Sequence, residues 1–173
     1  LKASTKQPDA RVRRQVVADL GSFYKPAALA ALKKSLAGEK NPAVRASVIR
    51  ALAGFGDPGA NGLIRKALAS SSYRHELGDA AVTALRTLDD PANLNLLLEA
   101  LREDSKKFSS RGYGSGMKAL AHLARNEQDK GKVRRFLLSR VSHLNPRIRL
   151  AAIDSLGQLG DPKAIATLEK FAS

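Results

Sequence analysis

Asn41-Pro42-Ala43-Val44-Arg45-Ala46-Ser47-Val48-Ile49-Arg50-Ala51-Leu52-Ala53-Gly54-Phe55-Gly56-Asp57-Pro58 is the stretch whose reading decides the fold. Asparagine followed by proline starts a helix: the side-chain oxygen accepts an orphan N–H of the first turn, and proline needs no donor there. Val44, Val48, Ile49, Leu52 and Phe55 then fall at i, i+4, i+5, i+8 and i+11, one stripe of an α-helix. Gly56-Asp57-Pro58 ends that helix and signals the start of another.

The same stripe recurs along the chain. It is Val12, Val16, Val17, Leu20 and Phe23 upstream, and Leu77, Ala81, Val82, Leu85 and Leu88 downstream. Gly112, Gly116, Met117, Leu120 and Leu123 form a fourth copy, and Ile148, Ala152, Ile153, Leu156 and Leu159 a fifth. Copies begin at residues 12, 44, 77, 112 and 148, a period inside the range of helical-repeat arrays. Each turn after the stripe carries a proline, Pro26, Pro58, Pro91 or Pro162, the last three preceded by Asp57, Asp90 and Asp161 as expected caps. Leu29 and Leu32, Ile64 and Leu68, Leu94, Leu97 and Leu101, and Ile165 and Leu168 supply the stripe of a second helix. No strand alternation or Asn-Gly hairpin turn competes.

The expectation is an all-α, right-handed α-solenoid of about five helical hairpins, ten helices in all. It is read as one domain over residues 1–173, with repeats at approximately 8–40, 41–72, 73–105, 106–144 and 145–173. Leu1 stands where an initiator methionine would, so the chain is read as a fragment of a longer one.

Asn41 to Pro58, together with Asn145-Pro-Arg-Ile-Arg-Leu-Ala-Ala-Ile-Asp-Ser-Leu-Gly-Gln-Leu-Gly-Asp-Pro162, resembles HEAT repeats, in particular the short subclass found in phycobilisome-lyase-type proteins. A second resemblance runs from Ala124 to Phe171, which is similar to the HEAT-like tail of bacterial M1-family (gluzincin) aminopeptidases. That resemblance implies a non-catalytic C-terminal domain that packs over the catalytic domain of its parent chain and limits access to its site. It makes the parent a zinc aminopeptidase.

Thirty Lys and Arg against sixteen Asp and Glu give a formal charge of +14, which attracts polyanions without specifying one. The excess is local: from Arg102 to Arg149 there are thirteen basic residues and four acidic ones, Glu103, Asp104, Glu127 and Asp129. The fourth repeat is also irregular, with Asn126-Glu-Gln-Asp-Lys-Gly-Lys132 in place of Asp-Pro and a long linker before it. Lys106, Lys107, Arg111 and Lys118, with Lys132, Arg134, Arg135 and Arg140, are the candidates for polyanion or partner binding. The alternative for these side chains is a solvated face whose aliphatic stems cover apolar surface.

Arg13, Arg45 and Arg149 form a column, each following the first stripe residue of its copy, with Gly78 and Tyr113 at the corresponding places of the other two. Such a column reads either as a basic strip for carboxylates or phosphates, or as inter-repeat pairing with carboxylates and carbonyls. Nucleic acid or an acidic peptide would suit the first reading, and a protein partner or a parent catalytic domain suits the scaffold as a whole.

No constellation for chemistry stands out, and no cofactor is expected. His75, His122 and His143 show no metal-ligand spacing, and there is no cysteine to ligate a metal, attack a substrate or form a disulfide. The compartment is left open, since absent cysteine merely allows a reducing one. No apolar run approaches the roughly 20 residues of a membrane span. Gly112-Tyr-Gly-Ser-Gly116 lacks the strand and spacing of a phosphate loop, and is read as allowing close helix approach. Asp89-Asp90 and Glu103-Asp104 sit at helix boundaries and read as caps. Some HEAT-like folds are DNA glycosylases; a base-stacking pocket here would need Tyr24, Tyr73 or Tyr113, since Phe23, Phe55, Phe136 and Phe171 fall on core-facing spacings.

Overall fold

The computed structural model describes residues 7–103 and 105–171. Among them are ten α-helices and no strand. The first five are α1 (Ala10–Gly21), α2 (Pro26–Gly38), α3 (Pro42–Gly54), α4 (Ala60–Ala69) and α5 (Glu76–Leu88). They are followed by α6 (Leu94–Glu103), α7 (Ser110–Ala124), α8 (Gly131–Leu138), α9 (Pro146–Leu159) and α10 (Ile165–Glu169). Leu1, Ser173 and Asp104, the second member of the Glu103-Asp104 pair, lie outside the described residues.

The cap signals act as their chemistry requires. Asn41 accepts from the N–H groups of Ala43 and Val44, and Asn145 from that of Arg147. Asp90 and Asp161 accept from Ala92 and Lys163, but the prolines that follow open single 3-10 turns, Pro91–Asn93 and Pro162–Ala164, that lead into α6 and α10. At the third such pair the helix starts later than expected: Asp57 accepts from Gly59 N–H and α4 begins at Ala60, so Pro58 stays outside it. Asp89 is no cap at all. Its backbone is left-handed (φ 48°) and its carboxylate turns to Arg125 and His122.

The chain forms two compact units, Leu1–Leu88 and Asp89–Ser173. In the first, α3 packs between α1 and α5, and Val44, Val48, Leu52, Ile64 and Leu85 are buried. In the second, α7 packs along α9 and against α6, enclosing Leu97, Leu101, Met117, Leu120 and Leu156. Each leucine or isoleucine so enclosed contributes roughly 1.5–3 kcal/mol, which isolated helices of this length need because their own backbone hydrogen bonds leave them marginal.

Several stripe positions are not core. Val12, Phe23 and Ile165 are exposed, and Phe171 is about half exposed at 49%. Among the described residues α1 has helix neighbours on one side only, α2 and α3, so its outer edge meets solvent. Tyr113, considered above for base stacking, is 2% exposed: its hydroxyl donates to Leu101 O and accepts from Arg140 Nε, both at 3.0 Å, and its ring lies against the buried Phe108. Tyr24 and Tyr73 are exposed.

The glycine run of the fourth copy lies inside α7, where Ser109 caps Gly112 N–H at 2.9 Å. A Cβ on Gly116 would come within 2.7 Å of Leu101 Cδ2, and one on Gly114 within 3.0 Å of Ala151 Cβ. Missing side chains are therefore what let α7 approach α6 and α9. Gly116→Val is expected to destabilise by about 1–3 kcal/mol, as overpacking of a closed core does. Gly157→Ala in α9, where a Cβ meets nothing within 4 Å, is expected to stabilise by about 0.4–1 kcal/mol. Urea unfolding of the two variants checks this, and equal effects would count against the close contact.

Candidate functional site

Of the basic side chains singled out above, Arg13, Lys118, Arg134, Arg140 and Arg149 have internal work. Arg13 and Arg149 both stand at the fourth position of their helices and donate backwards to two carbonyls before the cap: Arg13 Nη1 to Gln7 and Pro8, Arg149 Nη1 to His143 and Leu144. Tyr113 holds the same position in α7 and reaches back in the same way to Leu101 O. Arg13 and Arg149 thus tie α1 and α9 to the segments that enter them, and Tyr113 ties α7 to the last turn of α6. Leu101, His143 and Leu144 belong to the repeat before the one that reaches back to them, so these bonds join successive repeats. Arg45 shares the position and is half-buried, but makes no such bond among the described residues.

Arg13 has a further partner. Its Nε lies 2.8 Å from Glu39 Oε2 and its Nη2 3.2 Å from Oε1, while Oε1 also accepts from Asn41 N–H. The carboxylate therefore links α1 to the cap of α3. In the second unit Lys118 pairs with Asp154 at 2.9 Å, Arg134 with Asp161, and Arg140 lies 5.1 Å from the Phe136 ring centre besides bonding Tyr113. Lys130, absent from the sequence-based candidates, donates to Leu159 O at 2.8 Å. Lys132 and Arg135 are exposed on α8, and Lys106 and Lys107 lie in the 3-10 turn Ser105–Lys107 before α7.

Each unit has a cleft lined by cations among its described residues. One, about 330 Å³, lies in the first unit between Arg13, Val17, Lys34, Glu39, Lys40 and Val44, with Glu39 already seated on Arg13. The other, about 460 Å³, lies between α7 and α9 and is lined by Ser110, Arg111, Gly114, Lys118, Arg147 and Ala151. Asn145 Nδ2 donates to Ser110 Oγ at 3.0 Å, Gly114 faces Ala151, and Lys118 pairs with Asp154, so the two helices run parallel with their N-termini side by side. Arg111 and Arg147 each occupy the second position of their helix and are exposed, and their guanidiniums make no hydrogen bond or ion pair among the described residues. Arg147 was not among the sequence-based candidates. Its signal was its register with Arg111 after the two caps, visible only once α7 and α9 are known to pack.

The acid-base inventory is otherwise one of pairs. Asp89 accepts from Arg125 Nη1 and Nη2, both at 2.7 Å, and lies 3.0 Å from His122 Nε2. The guanidinium hydrogen bonds hold its carboxyl below the usual value, against a smaller opposing effect of desolvation. No group of three or more His, Cys, Asp or Glu residues with metal-binding geometry occurs among the described residues, and no helix there is long and apolar enough to cross a membrane.

A family model described as HEAT repeats matches residues 35–109 and 117–173. Among solved structures, a chain from the complex of CpcE and CpcF of phycocyanin lyase from Nostoc sp. PCC7120 is similar over 96% of this chain, with a TM-score of 0.69 and 20% sequence identity. This chain covers 66% of that one, just under two thirds of its length. At that identity the likeness speaks for the fold, which is all-helical and solenoid-like. None of the curated proteins compared with the sequence matches it.

The Arg13–Glu39 pair leads to a pH prediction. The Arg13 hydrogen bonds hold the Glu39 carboxyl below its ordinary value, with desolvation opposing and the Asn41 N–H adding to the effect. A carboxylate depressed in the folded state stabilises fully above its unfolded pKa, about 4.3, and loses that contribution as pH falls through the folded value. The urea midpoint of the native chain should therefore exceed that of Glu39→Gln at pH 7, with the gap closing below about pH 4. A gap unchanged down to pH 2 would show that the pair does not link stability to protonation.

Proposed function

The chain belongs to the HEAT-repeat family, and we propose that it works as a non-catalytic interaction module that docks a protein partner carrying an acidic segment. The observation that carries this is the contrast between its interior and its surface. Arg13, Lys118, Arg125, Arg134, Arg140 and Arg149 hold partners within the fold, whereas Leu144 (94% exposed), Leu150 (63%) and the guanidiniums of Arg111 and Arg147 are left to solvent. Exposed apolar groups beside arginine suit a protein interface, where arginine is among the residues that carry much of the binding energy. The similar solved chain was itself taken from a complex of two proteins.

A finer assignment makes the partner the catalytic domain of the parent chain, an M1-type zinc aminopeptidase, with this region as its C-terminal domain. It rests on the resemblance of residues 124–171 alone. Its test is the parent sequence before Leu1: a His-Glu-x-x-His motif with a downstream glutamate ligand supports it, and their absence overturns it.

Nucleic acid is the rival ligand for a chain of charge +14. Lys118, Arg134, Arg140 and Arg149 are engaged internally, and Tyr113 is buried, so neither a free basic track nor a stacking platform is assembled from them. Photo-crosslinking residues placed at Leu144 and Leu150 are expected to capture a discrete protein in cells of the native organism. The captured protein, once purified, should rebuild the complex with a Kd of about 1 μM or below, an affinity ordinary for a standard interface. Capture of nucleic acid instead, with binding at about 50 mM salt that collapses as salt rises, would overturn the protein reading.

A further inference from the structure

We infer that the cleft between α7 and α9 is an acidic-peptide site, in which Arg111 and Arg147 together bind one carboxylate of the partner while Leu150 packs against an adjacent apolar side chain of the same segment. This assignment rests on the interaction reading above and gives it an address.

Four observations converge on the cleft. The first is the position of the two arginines. A cation at the second residue of a helix faces the positive end of the helix dipole, which disfavours it unless an anion is near. Arg11 occupies that position in α1 and is neutralised by its own cap, Asp9, at 2.9 Å. Arg111 and Arg147 follow the uncharged caps Ser109 and Asn145 and have no such partner among the described residues.

Secondly, the two N-termini are pinned together. The Asn145–Ser110 bond and the Gly114–Ala151 contact hold α7 and α9 in register, so both arginines line one cleft on a rigid frame. Little ordering is left to be done on binding, which favours affinity. Thirdly, the charge in the cleft is unbalanced. Asp154 answers Lys118, and among the described residues no second carboxylate answers the two guanidiniums, whereas the cleft of the first unit holds Glu39 on Arg13. That internal pair shows the coordination that a partner's glutamate or aspartate would reproduce between α7 and α9, since planar guanidinium forks match carboxylates in bidentate fashion.

Fourthly, Leu150 stands three residues after Arg147 and four before Asp154, hence on the same face of α9, and is exposed. A leucine beside the anion site favours a peptide, with its mixed side chains, over a phosphodiester backbone. At about 460 Å³ the cleft has the size of a site for a few side chains rather than a duplex.

The test uses the full chain and fluorescent peptides Leu-Glu-Glu-Leu-Glu-Glu and Ser-Glu-Glu-Ser-Glu-Glu, with a single-stranded oligonucleotide of about 20 nucleotides for comparison, followed by anisotropy at low salt. The Leu-containing peptide is expected to bind most tightly. Arg111→Ala with Arg147→Ala should weaken it by about tenfold or more, as loss of a bidentate charged contact does, and Leu150→Ser should abolish its advantage over the serine peptide. Both variants change exposed side chains, and thermal melting verifies that they fold. Arg65→Glu, an exposed charge reversal on α4, should reduce affinity much less. Equal loss in Arg65→Glu and the double variant, or none in the double variant, overturns this site and leaves the broader interaction reading standing. Tighter binding of the oligonucleotide than of either peptide overturns both.

Discussion

A helix pair of this kind cannot bury its own apolar stripe, and within each unit the structure depends on stacking the first helix of one repeat on that of its neighbour. Contact between α1, α3 and α5 in one unit, and between α7 and α9 in the other, closes the core over Val48, Leu52, Met117 and Leu156. The spacing between such helices is set by what lies at the crossing. Ala151 of α9 meets no side chain at Gly114, and Leu101 of α6 fills the space left at Gly116. The run of glycines therefore acts by subtraction, allowing a close approach that a methyl group would block.

Stacking fixes the helices laterally but leaves the entry of each chain segment into its helix free, and polar side chains settle that second constraint. Asn41 and Asn145 satisfy first-turn N–H groups, while Arg13, Tyr113 and Arg149, at one helical position, each bond a carbonyl that precedes the cap, for Tyr113 that of Leu101 in α6. Glu39 then joins Arg13 to the N–H of Asn41, so one carboxylate spans the end of one repeat and the start of the next. The large positive charge is for this reason a poor guide to binding surface, because many cations are drawn inward by carbonyl groups and carboxylates. Formal charge counts them all; only those without an internal partner remain available to a ligand.

The helices, their starts and most of the core were legible in the sequence because period, asparagine caps and aspartate-proline pairs are local signals. The errors came where a position's fate depends on what packs against it. Val12 and Phe23 keep the spacing of the stripe, yet α1 has helix neighbours on one side only among the described residues. Asp89 looks like a cap by its place before Asp90, but a partner 36 residues away, Arg125, decides its role. Tyr113 reads as a spare aromatic until Leu101 and Arg140 are seen to claim its hydroxyl. The candidate cleft was half visible: Arg111 and Lys118 are marked by composition, whereas Arg147 joins them only through the register of α7 on α9.

That register also places the candidate binding surface on a structural repeat. Caps that are aspartate balance the helix dipole within the chain, as Asp9 does beside Arg11. Serine and asparagine at the same place satisfy the N–H groups without supplying charge, so the positive ends of α7 and α9 keep their potential and the arginines beside them add to it. Two such ends held side by side sum their fields over one cleft, a convergence that a single helix terminus does not provide. The substitution of a neutral cap for a charged one thus changes little in the fold, where the hydrogen bond is retained, and much at the surface, where the charge is not. In a family built from repeated helices, that is a small chemical step from scaffold to recognition.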